Sequence, residues 1–384
     1  MKCGVVKETY PGERRVALTP AVLKALDKVG IACMIESGAG AAAGFPDAAY
    51  REQGGTIASS REEVFAAADL LVQVRAAGAN CEAGITDLGL LREGQTIVGF
   101  CDPLGAPEAL LQFAARGVTI FAMELVPRIT RAQSMDALSS MATLAGYKAA
   151  LIAASALPKM FPMMMTAACT LLPARVLVLG VGVAGLQAIA TSRRIGAVVE
   201  AYDVRPDVKD QVQSLGAKFL ELPLAAEGAQ DAGGYARAFD EAFYRRQREL
   251  LTAALARQDV VITTAAVPGR KAPTLVTTDM VEVMPPGSVI VDLAAERGGN
   301  CELTQLGATI EHHGVTIIGP DNLPSTVPLH ASQMYGKNVS ALLAHLVRDG
   351  KFALDTEDEI TRETLVVRAG EVVHPKLREA APSR

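Results

Sequence analysis

The chain has 384 residues, half of them apolar, which predicts two domains with sizeable cores. It carries 37 Lys and Arg against 42 Asp and Glu, a net charge of −5, and no block of basic residues, so a nucleic-acid partner is not expected. Apolar stretches are broken by proline or glycine before roughly 20 residues, and the start of the chain is charged, so neither a transmembrane helix nor a signal peptide is expected.

Cysteine and histidine give no sign of a metal site. The six cysteines are scattered without a C-x-x-C pair, and all five histidines lie at or beyond His312. Free cysteines of this kind usually behave as small buried hydrophobic residues. The sequence therefore predicts a cytoplasmic protein without a bound metal.

The first third of the chain alternates short β-branched runs with helical patterns. Strands are predicted at "CGVVKE", "IACMIES", "DLLVQV", "TIVGF" and "VTIFAMEL". Helices are predicted at "PAVLKALDKVG", "SREEVFAAA" and "APEALLQFAARG", the second with Ser60 as its N-cap. Strands that alternate with helices indicate a parallel sheet covered by helices on both faces.

A polar segment follows, between residues 123 and 149. It holds opposite charges and hydrogen-bonding groups where a linker would be rich in Gly, Ser and Pro: Arg128, Arg131, Gln133, Ser134, Asp136, Ser139 and Ser140. The pattern predicts a segment that binds something. It continues into "ALSSMATLAGYKAALIAASAL", which predicts one long helix ended by Pro158, and a helix of this kind often joins two domains.

A second α/β unit follows that helix. Its strands are predicted at "RVLVLG", "AVVEAYD", "AKFLEL", "DVVITTA", "SVIVDLA" and "VTIIGP", with helices between them that fit a doubly wound nucleotide-binding sheet. A late helix, "HASQMYGKNVSALLAHLVRDG", is expected to return the chain to the first domain. The predicted fold class is α/β, with two Rossmann-like doubly wound parallel-sheet domains joined by long helices. The first domain is predicted over residues 1–140 plus 330–384, and the second over residues 141–329.

The stretch "ARVLVLGVGVAGLQAIA" carries G-x-G-x-x-G at Gly180, Gly182 and Gly185, between a predicted strand and a predicted helix. In that context the first glycine permits a tight turn, the second lets the backbone approach a pyrophosphate, and the third lets helix and strand pack closely. The N–H groups at the helix N-terminus favour a phosphate. The motif predicts one bound dinucleotide.

Asp203 ends the next predicted strand, where an acid accepts hydrogen bonds from the adenosine ribose. Its charge repels a 2′-phosphate, so NAD(H) is favoured over NADP(H). Arg205 complicates this preference, because an arginine nearby can accept that phosphate. The alternative is that Asp203 only caps the next turn.

Together these stretches resemble the soluble NAD(H)-binding domain I of proton-translocating nicotinamide nucleotide transhydrogenase, which belongs to its alpha subunit. The likeness also rests on "KETYPGERRVALTP", "PRITRAQSMDALSS", "FPMMMTAA" and "MPPGSVIVDLAAERGGNCE", and it runs over nearly the whole chain. The resemblance implies an NAD(P)⁺ transhydrogenase, Re/Si-specific, that transfers hydride directly from NADH to NADP⁺ and couples this to proton translocation across a membrane.

The resemblance also implies roles for individual residues. Arg128 and Ser139 would orient the nicotinamide, and Asp136 would pair with Arg128. Gln133 would reach a second nucleotide held by a partner. The other positions expected around NAD(H), besides the three glycines, are Val183, Asp203, Val204, Arg205, Gly234, Gln247 and Ala266, with Tyr235 in a flap over the site. Ala266 departs from the family, where a larger aliphatic residue is expected.

The partners are implied in the same way. The chain would form a homodimer and dock an NADP(H)-binding beta subunit, which holds NADP(H), together with a membrane-spanning subunit. Through these subunits it would be peripheral to the inner membrane, with no membrane span of its own.

Alanine dehydrogenase is similar in architecture and is the main alternative. That family would place a Lys in "LVQVRAAG" and a His in "IVGFCDPLG", where this chain has Arg75 and Asp102. An amino-acid dehydrogenase needs acid–base groups, whereas hydride transfer between two nicotinamides moves no proton at the reacting carbons and needs mainly alignment. A non-catalytic NAD-sensing module is the third possibility.

Overall fold

The structure is a computed structural model, and it describes residues 1–222, 241–266, 269 and 271–380. The chain divides into two compact units. The first unit comprises Met1–Met141 and Pro324–Arg384, and the second comprises Ala142–Leu323. Two of the expected NAD(H) positions, Gly234 and Tyr235, lie outside the described residues.

Residues 1–122 alternate strands with helices. The elements are β1 Lys2–Val5, α1 Pro20–Asp27, β2 Ala32–Glu36, α2 Asp47–Glu52, β3 Thr56–Ala58, α3 Arg61–Ala67, β4 Leu70–Arg75, β5 Thr96–Phe100, α4 Pro107–Ala114 and β6 Thr119–Ala122. Ser60 caps α3 as predicted, because its side chain accepts a hydrogen bond from Glu63 N. Helix α5, Ala137–Ala156, follows, and the boundary between the units falls inside it.

The rest of the second unit begins with a short hairpin and continues as an α/β sequence. Its elements are β7 Met164–Met165, β8 Thr170–Leu171, β9 Arg175–Leu179, α6 Val183–Arg194, β10 Val198–Tyr202, α7 Lys209–Ser214, β11 Lys218–Phe219, α8 Glu241–Leu255, β12 Val260–Thr263, α9 Thr278–Glu282, β13 Val289–Asp292, β14 Ala308–His312 and β15 Val315–Gly319.

The last stretch returns to the first unit, as the late helix predicted. Its elements are α10 Pro328–Leu346, β16 Val347–Arg348, β17 Lys351–Phe352, α11 Glu359–Thr364, β18 Leu365–Arg368, β19 Glu371–Val372 and α12 Pro375–Ala380. Proline at the first turn of α10 suits a helix start, because its missing N–H would have no partner there.

The first sheet has the strand order β3-β2-β1-β4-β5-β6-β18-β19. Strands β1 to β6 are parallel to their neighbours. Strand β18 adds to β6 in the antiparallel direction, with Leu365 opposite Phe121. The six parallel strands thus follow the doubly wound order 3-2-1-4-5-6.

The second sheet has the order β11-β10-β9-β12-β13-β15-β14. Its first six strands are parallel and again follow the order 3-2-1-4-5-6. Strand β14 pairs antiparallel with β15 and was not predicted. The predicted fold class, α/β with doubly wound parallel sheets, is confirmed.

The second sheet is covered on both faces, which explains its nearly continuous apolar strands. Side chains of β9 alternate between two hydrophobic clusters: Val176 and Val178 face one, and Leu177 and Leu179 face the other. All four are fully buried. The central strands therefore hold the following loops in fixed positions at the carboxyl edge of the sheet.

Helix α5 is the one described helix that is long and apolar enough to cross a membrane, by length and composition alone. The apolar runs that the sequence draws attention to, around residues 159–193, do not include it. About a third of its most apolar window is buried, 33%. Ala149, Ala150 and Ala153 belong to a hydrophobic core of the second unit, so this stretch of α5 packs as a core helix does.

Candidate nucleotide-binding site

The glycine loop lies where β9 passes into α6, at the carboxyl edge of the second sheet. Gly180 has φ +94°, a left-handed conformation that residues with a side chain rarely adopt. A Cβ on Gly185 would lie 2.0 Å from the carbonyl oxygen of Gly180, so helix and turn approach this closely only with glycine. The local fold itself requires these two glycines.

Gly182 differs from both. It is the N-cap of α6 with φ −79°, a conformation open to any residue. A Cβ built there would meet no atom of the described residues within 4 Å. The N–H groups in the first turn of α6 have no partner within the helix and suit an anion. The loop therefore fits a pyrophosphate that approaches the backbone at Gly182.

Asp203 directly follows β10 and is 8% exposed. Its Oδ2 accepts a hydrogen bond at 2.7 Å from Val181 N, inside the glycine loop. Its Oδ1 accepts one at 2.9 Å from Arg205 N, so it also caps the next turn. The Arg205 guanidinium pairs with the same carboxylate, with Nη2 2.8 Å from Oδ2. The acid expected to bind ribose is thus joined to the phosphate loop.

Two polar residues that the sequence reasoning missed hold the loop from the side of β12. Thr264 Oγ1 donates a hydrogen bond to Gly180 O at 2.9 Å. Asn300 Oδ1 accepts one from Ala265 N at 2.9 Å, and its Nδ2 donates one to Ala265 O at 2.8 Å. Asn300 therefore fixes the backbone immediately before Ala266.

Asp292, the buried last residue of β13, fixes Asn300 in turn. Its carboxylate accepts hydrogen bonds from Asn300 N at 2.7 Å and Cys301 N at 2.9 Å. It also accepts bonds from the hydroxyls of Thr263 at 2.8 Å and Thr304 at 2.7 Å. Hydrogen bonds to a carboxylate are among the strong ones, so Asp292 organises this edge of the sheet. The available signal was an acid that ends an otherwise apolar strand.

The other expected NAD(H) positions differ in exposure. Val183 and Val204 are half-buried beside the glycine loop and Asp203, and Ala266 is exposed after β12. Gln247 on α8 is fully buried and donates a hydrogen bond to Tyr202 OH at 2.9 Å. Burial raises the pKa of Tyr202 to about 12, which keeps its hydroxyl neutral. Within the described portion of the chain, Gln247 Oε1 has no hydrogen-bond partner.

The polar segment of the first unit forms a 3-10 helix over Thr130–Met135 before α5 begins. Asp136 Oδ1 accepts a hydrogen bond from Ser139 N at 2.8 Å, and its Oδ2 accepts one from Ser139 Oγ at 2.6 Å, so Asp136 caps α5. Arg128 and Gln133 have exposed side chains. The structure joins Asp136 to Ser139, while the pairing of Asp136 with Arg128 stays a prediction.

The C-terminal portion of the first unit anchors this segment. Asn338 on α10 donates a hydrogen bond to Ser134 O at 2.8 Å. Arg131 forms an ion pair with Asp358, the N-cap of α11. Although burial raises the pKa of Asp358, hydrogen bonds from Arg131, a backbone N–H and His345 bring it down to about 2. The backbone that carries Arg128 and Gln133 is therefore held by contacts from far along the chain.

The carboxyl edge of the first sheet is closed by its own carboxyl groups. Glu8, after β1, accepts hydrogen bonds from Val74 N at 2.6 Å and Arg75 N at 3.1 Å, at the end of β4. Glu124, after β6, accepts bonds from Cys101 N and the following N–H, after β5. Burial raises the pKa of Glu8 to about 8 and that of Glu124 to about 7.

An ionic cluster lies beside Glu8. Arg15 pairs with Glu13 at 2.6 Å, and both side chains are buried. Arg75, where alanine dehydrogenase would have a Lys, is 3.6 Å from the same Glu13 carboxylate and 4.2 Å from the centre of the Tyr10 ring. Burial raises the pKa of Glu8 most, and the nearby Glu13 charge adds to it. These cations are paired with an acid of the chain itself.

Comparison with known proteins matches both units to one family. The model of the alanine dehydrogenase/PNT N-terminal domain matches residues 4–145, and that of the C-terminal domain matches residues 149–375. Among solved structures, a transhydrogenase from Sinorhizobium meliloti has a TM-score of 0.86 at 42% identity, covering 97% of this chain and 100% of that one. An L-alanine dehydrogenase has a TM-score of 0.81 at 26% identity, covering 99% and 98%.

Curated relatives repeat this pattern. The first portion of a divided NAD(P) transhydrogenase subunit alpha, from Rhodospirillum rubrum, is 46% identical over 380 residues, 98% of this chain and 99% of the relative. NAD(P) transhydrogenase subunit alpha of Haemophilus influenzae is 42% identical over 98% of this chain and 72% of its own length. Alanine dehydrogenase of Mycobacterium tuberculosis is 30% identical over 85% and 82%. The resemblance seen in the sequence is confirmed: the chain belongs to the alanine dehydrogenase/PNT family, and it is more similar to these transhydrogenase alpha subunits than to these alanine dehydrogenases.

Proposed function

We propose that this chain is the NAD(H)-binding component of a proton-translocating transhydrogenase. It would pass hydride directly from NADH to NADP⁺ on a partner subunit, coupled to proton translocation across a membrane. The observation that carries the proposal is the likeness over 98% of the chain to a protein named as a transhydrogenase alpha subunit. The geometry of both units supports it.

The second unit would hold the NAD(H), which supplies or accepts the hydride. The open backbone at Gly182 and the first turn of α6 suit its pyrophosphate, and Asp203 suits its adenosine ribose. Val183, Val204 and Ala266 would flank it. Because Asp203 is bonded to Val181 N, ribose and phosphate contacts would be made by one connected loop.

The polar segment of the first unit would orient the nicotinamide. We assign Arg128 and Ser139 to the carboxamide and ring, and Gln133 to the second nucleotide. The supporting feature is a fixed backbone with exposed ends: Asp136 holds Ser139, whereas Arg128 and Gln133 are exposed. A hydride transfer between two nicotinamides depends on such positioning, since no proton moves at the reacting carbons.

The proposal includes partners. The chain would act as a homodimer with a separate NADP(H)-binding beta subunit and a membrane-spanning subunit, which keep it on the cytoplasmic side of the inner membrane. The length comparison supports separate subunits. The match covers 99% of the Rhodospirillum rubrum protein but 72% of the longer Haemophilus influenzae alpha subunit.

Adding the partner tests the proposal directly. We expect the purified chain to bind NADH, detected by the fluorescence of the dihydronicotinamide, but to reduce no NADP⁺ analogue alone. Addition of a purified NADP(H)-binding subunit should start the reaction. Binding that is never followed by hydride transfer would instead indicate an NAD-sensing module.

The alternative is an alanine dehydrogenase, which the TM-score of 0.81 to such an enzyme keeps in view. It predicts turnover by the chain alone with NAD⁺ and alanine, or with NADH, pyruvate and ammonia. Arg75 argues against it, because an arginine stays protonated near neutral pH and cannot serve as a base. Turnover without a partner would overturn the transhydrogenase proposal.

Replacing Gln133 tests the role of the polar segment. In the Gln133→Ala variant we expect the rate of hydride transfer in the reconstituted system to fall at least about tenfold, or about 1.4 kcal/mol, with NADH affinity nearly unchanged. The exposed Gln112→Ala variant on α4 is the matched control and should change neither quantity. A loss of NADH affinity without a slower transfer step would show that Gln133 serves the wrong nucleotide in this assignment.

A further inference from the structure

Arg205 and Asp203 form a nearly buried, two-pronged ion pair at the adenosine end of the candidate site. Arg205 Nε donates to Asp203 Oδ1 at 2.9 Å, and Arg205 Nη2 donates to Oδ2 at 2.8 Å. Their side chains are 13% and 5% exposed. An arginine fork on a carboxylate is both directional and strong, so this contact is a defined feature of the site.

The pair leaves the Asp203 carboxylate with little capacity for another donor. A carboxylate has about four lone-pair positions. Arg205 occupies three through its N, Nε and Nη2 atoms, and Val181 N occupies the fourth. A ribose hydroxyl that binds Asp203 must therefore replace a guanidinium bond. The bond from Val181 N is the one that ties Asp203 to the phosphate loop.

The pair also changes the electrostatic rule on which the preference for NAD(H) rests. A lone carboxylate repels a 2′-phosphate, but a carboxylate paired with a guanidinium presents almost no net charge. Guanidinium groups bind phosphate as readily as carboxylate, with the same fork of donors. A guanidinium displaced from Asp203 by ribose would remain next to the ribose it had replaced.

We propose that Arg205 is a specificity-determining residue that reduces discrimination against 2′-phosphorylated dinucleotides at this site. It exchanges between Asp203, when NAD(H) is absent or arriving, and the 2′-phosphate of NADP(H). The inference rests on the proposed NAD(H)-binding function of the second unit. A purely structural role for Arg205, holding Asp203 in place, makes a different prediction, because its loss would then weaken both dinucleotides alike.

The test compares the dissociation constants of NADH and NADPH for the full chain, measured by dihydronicotinamide fluorescence. In Arg205→Ala we expect the ratio of the NADPH to the NADH constant to rise at least tenfold, mainly through weaker NADPH binding, with NADH affinity within about threefold. Arg205→Gln keeps hydrogen-bond donors but not the charge, and should shift the ratio in the same direction. Arg205→Lys should give an intermediate ratio.

The matched control is Arg194→Ala, which removes the same charge from an exposed position at the end of α6 and should leave the ratio unchanged. An unchanged ratio in both Arg205→Ala and Arg205→Gln, or equal losses for the two dinucleotides, would overturn the proposal. Wild-type chain that binds neither dinucleotide would overturn the NAD(H)-binding function as well. Wild-type binding of NADH with equal losses in the variants would overturn only the role of Arg205.

Discussion

The two sheets have the same parallel strand order, 3-2-1-4-5-6, but their carboxyl edges differ. In the second sheet, the turn after β9 leaves backbone open at Gly182 and begins a helix of 12 residues. In the first sheet, Glu8 and Glu124 accept hydrogen bonds from the N–H groups after β4 and β5. One edge is available to an anionic ligand, and the other is occupied by acids of the chain.

The difference shows that the strand order alone does not determine a ligand site, since both sheets share it. What decides is the chain that follows the first strand of each sheet. After β9 it turns on a glycine with positive φ and enters a helix at once. After β1 it runs through the charged stretch of Glu8, Glu13 and Arg15 before α1 begins. Dinucleotide binding is therefore expected at the second sheet only.

The largest effect is expected from Gly182→Ala. The added Cβ meets no described atom of the protein, so the fold should be unchanged, but it would occupy space that a pyrophosphate needs. We expect NADH affinity to fall roughly 100-fold, or about 2.8 kcal/mol, measured by fluorescence titration, with an unchanged melting temperature.

Gly4→Ala in β1 is the counterpart in the first sheet. Its Cβ would lie 2.5 Å from Val64 Cγ1, so overpacking should lower stability by about 1–3 kcal/mol. NADH affinity should not change. If Gly182→Ala lowered stability and kept NADH affinity, the open edge of the second sheet would not be the binding site.

A somewhat smaller effect is expected from Asn300→Ala. The side chain is fully buried and bonds to Ala265 N, Ala265 O and Pro273 O. Its removal leaves these groups without partners, at a cost of about 2–3 kcal/mol in the free energy of unfolding. NADH affinity should fall as well, because the backbone before Ala266 is released.

The control is Asn338→Ala in the first unit, whose side chain donates to Ser134 O. It should lose about 1 kcal/mol of stability and keep its NADH affinity. Urea denaturation and NADH titration of both variants measure these quantities. Equal effects on NADH affinity would remove the distinction between the two units.

The smallest effect concerns the closed edge. The folded state raises the pKa of Glu8 from its usual 4.5 to about 8, so between these values the folded chain holds a proton that the unfolded chain releases. The contribution of Glu8 to stability therefore falls as the pH rises through this window. Relative to wild type, Glu8→Gln should gain about 1 kcal/mol between pH 5 and pH 8, measured by urea denaturation.

Glu62→Gln is the matched control, because hydrogen bonds lower the pKa of this exposed carboxyl and it is ionised throughout that range. Its stability relative to wild type should not vary with pH. A flat difference for Glu8→Gln as well would mean that Glu8 is ionised in the folded chain, and that charge closes the edge of the first sheet.

The sequence was sufficient where the signal is local. Alternating strands and helices, the glycine spacing and Asp203 after β10 each lie within one short stretch, so the α/β fold and the glycine loop could be predicted. Strand β14 was missed because it is a half-exposed antiparallel edge strand of five residues, without an apolar run.

The supporting residues could not be found in the same way, because their partners are distant in sequence. Asn300 bonds to a residue 35 positions away, and Glu8 to one 66 positions away. The strand predicted at "VTIFAMEL" ends at Ala122, since Glu124 turns to bond with Cys101 N. Such contacts depend on the assembled sheet.

The first unit is made from both ends of the chain, with the second unit inserted between them. During synthesis the ribosome releases all of the second unit before β18 exists to pair with β6. The nucleotide-binding sheet can therefore mature while its neighbour still lacks an edge strand and α10. Premature termination near the carboxyl terminus should consequently damage the first unit and spare the second.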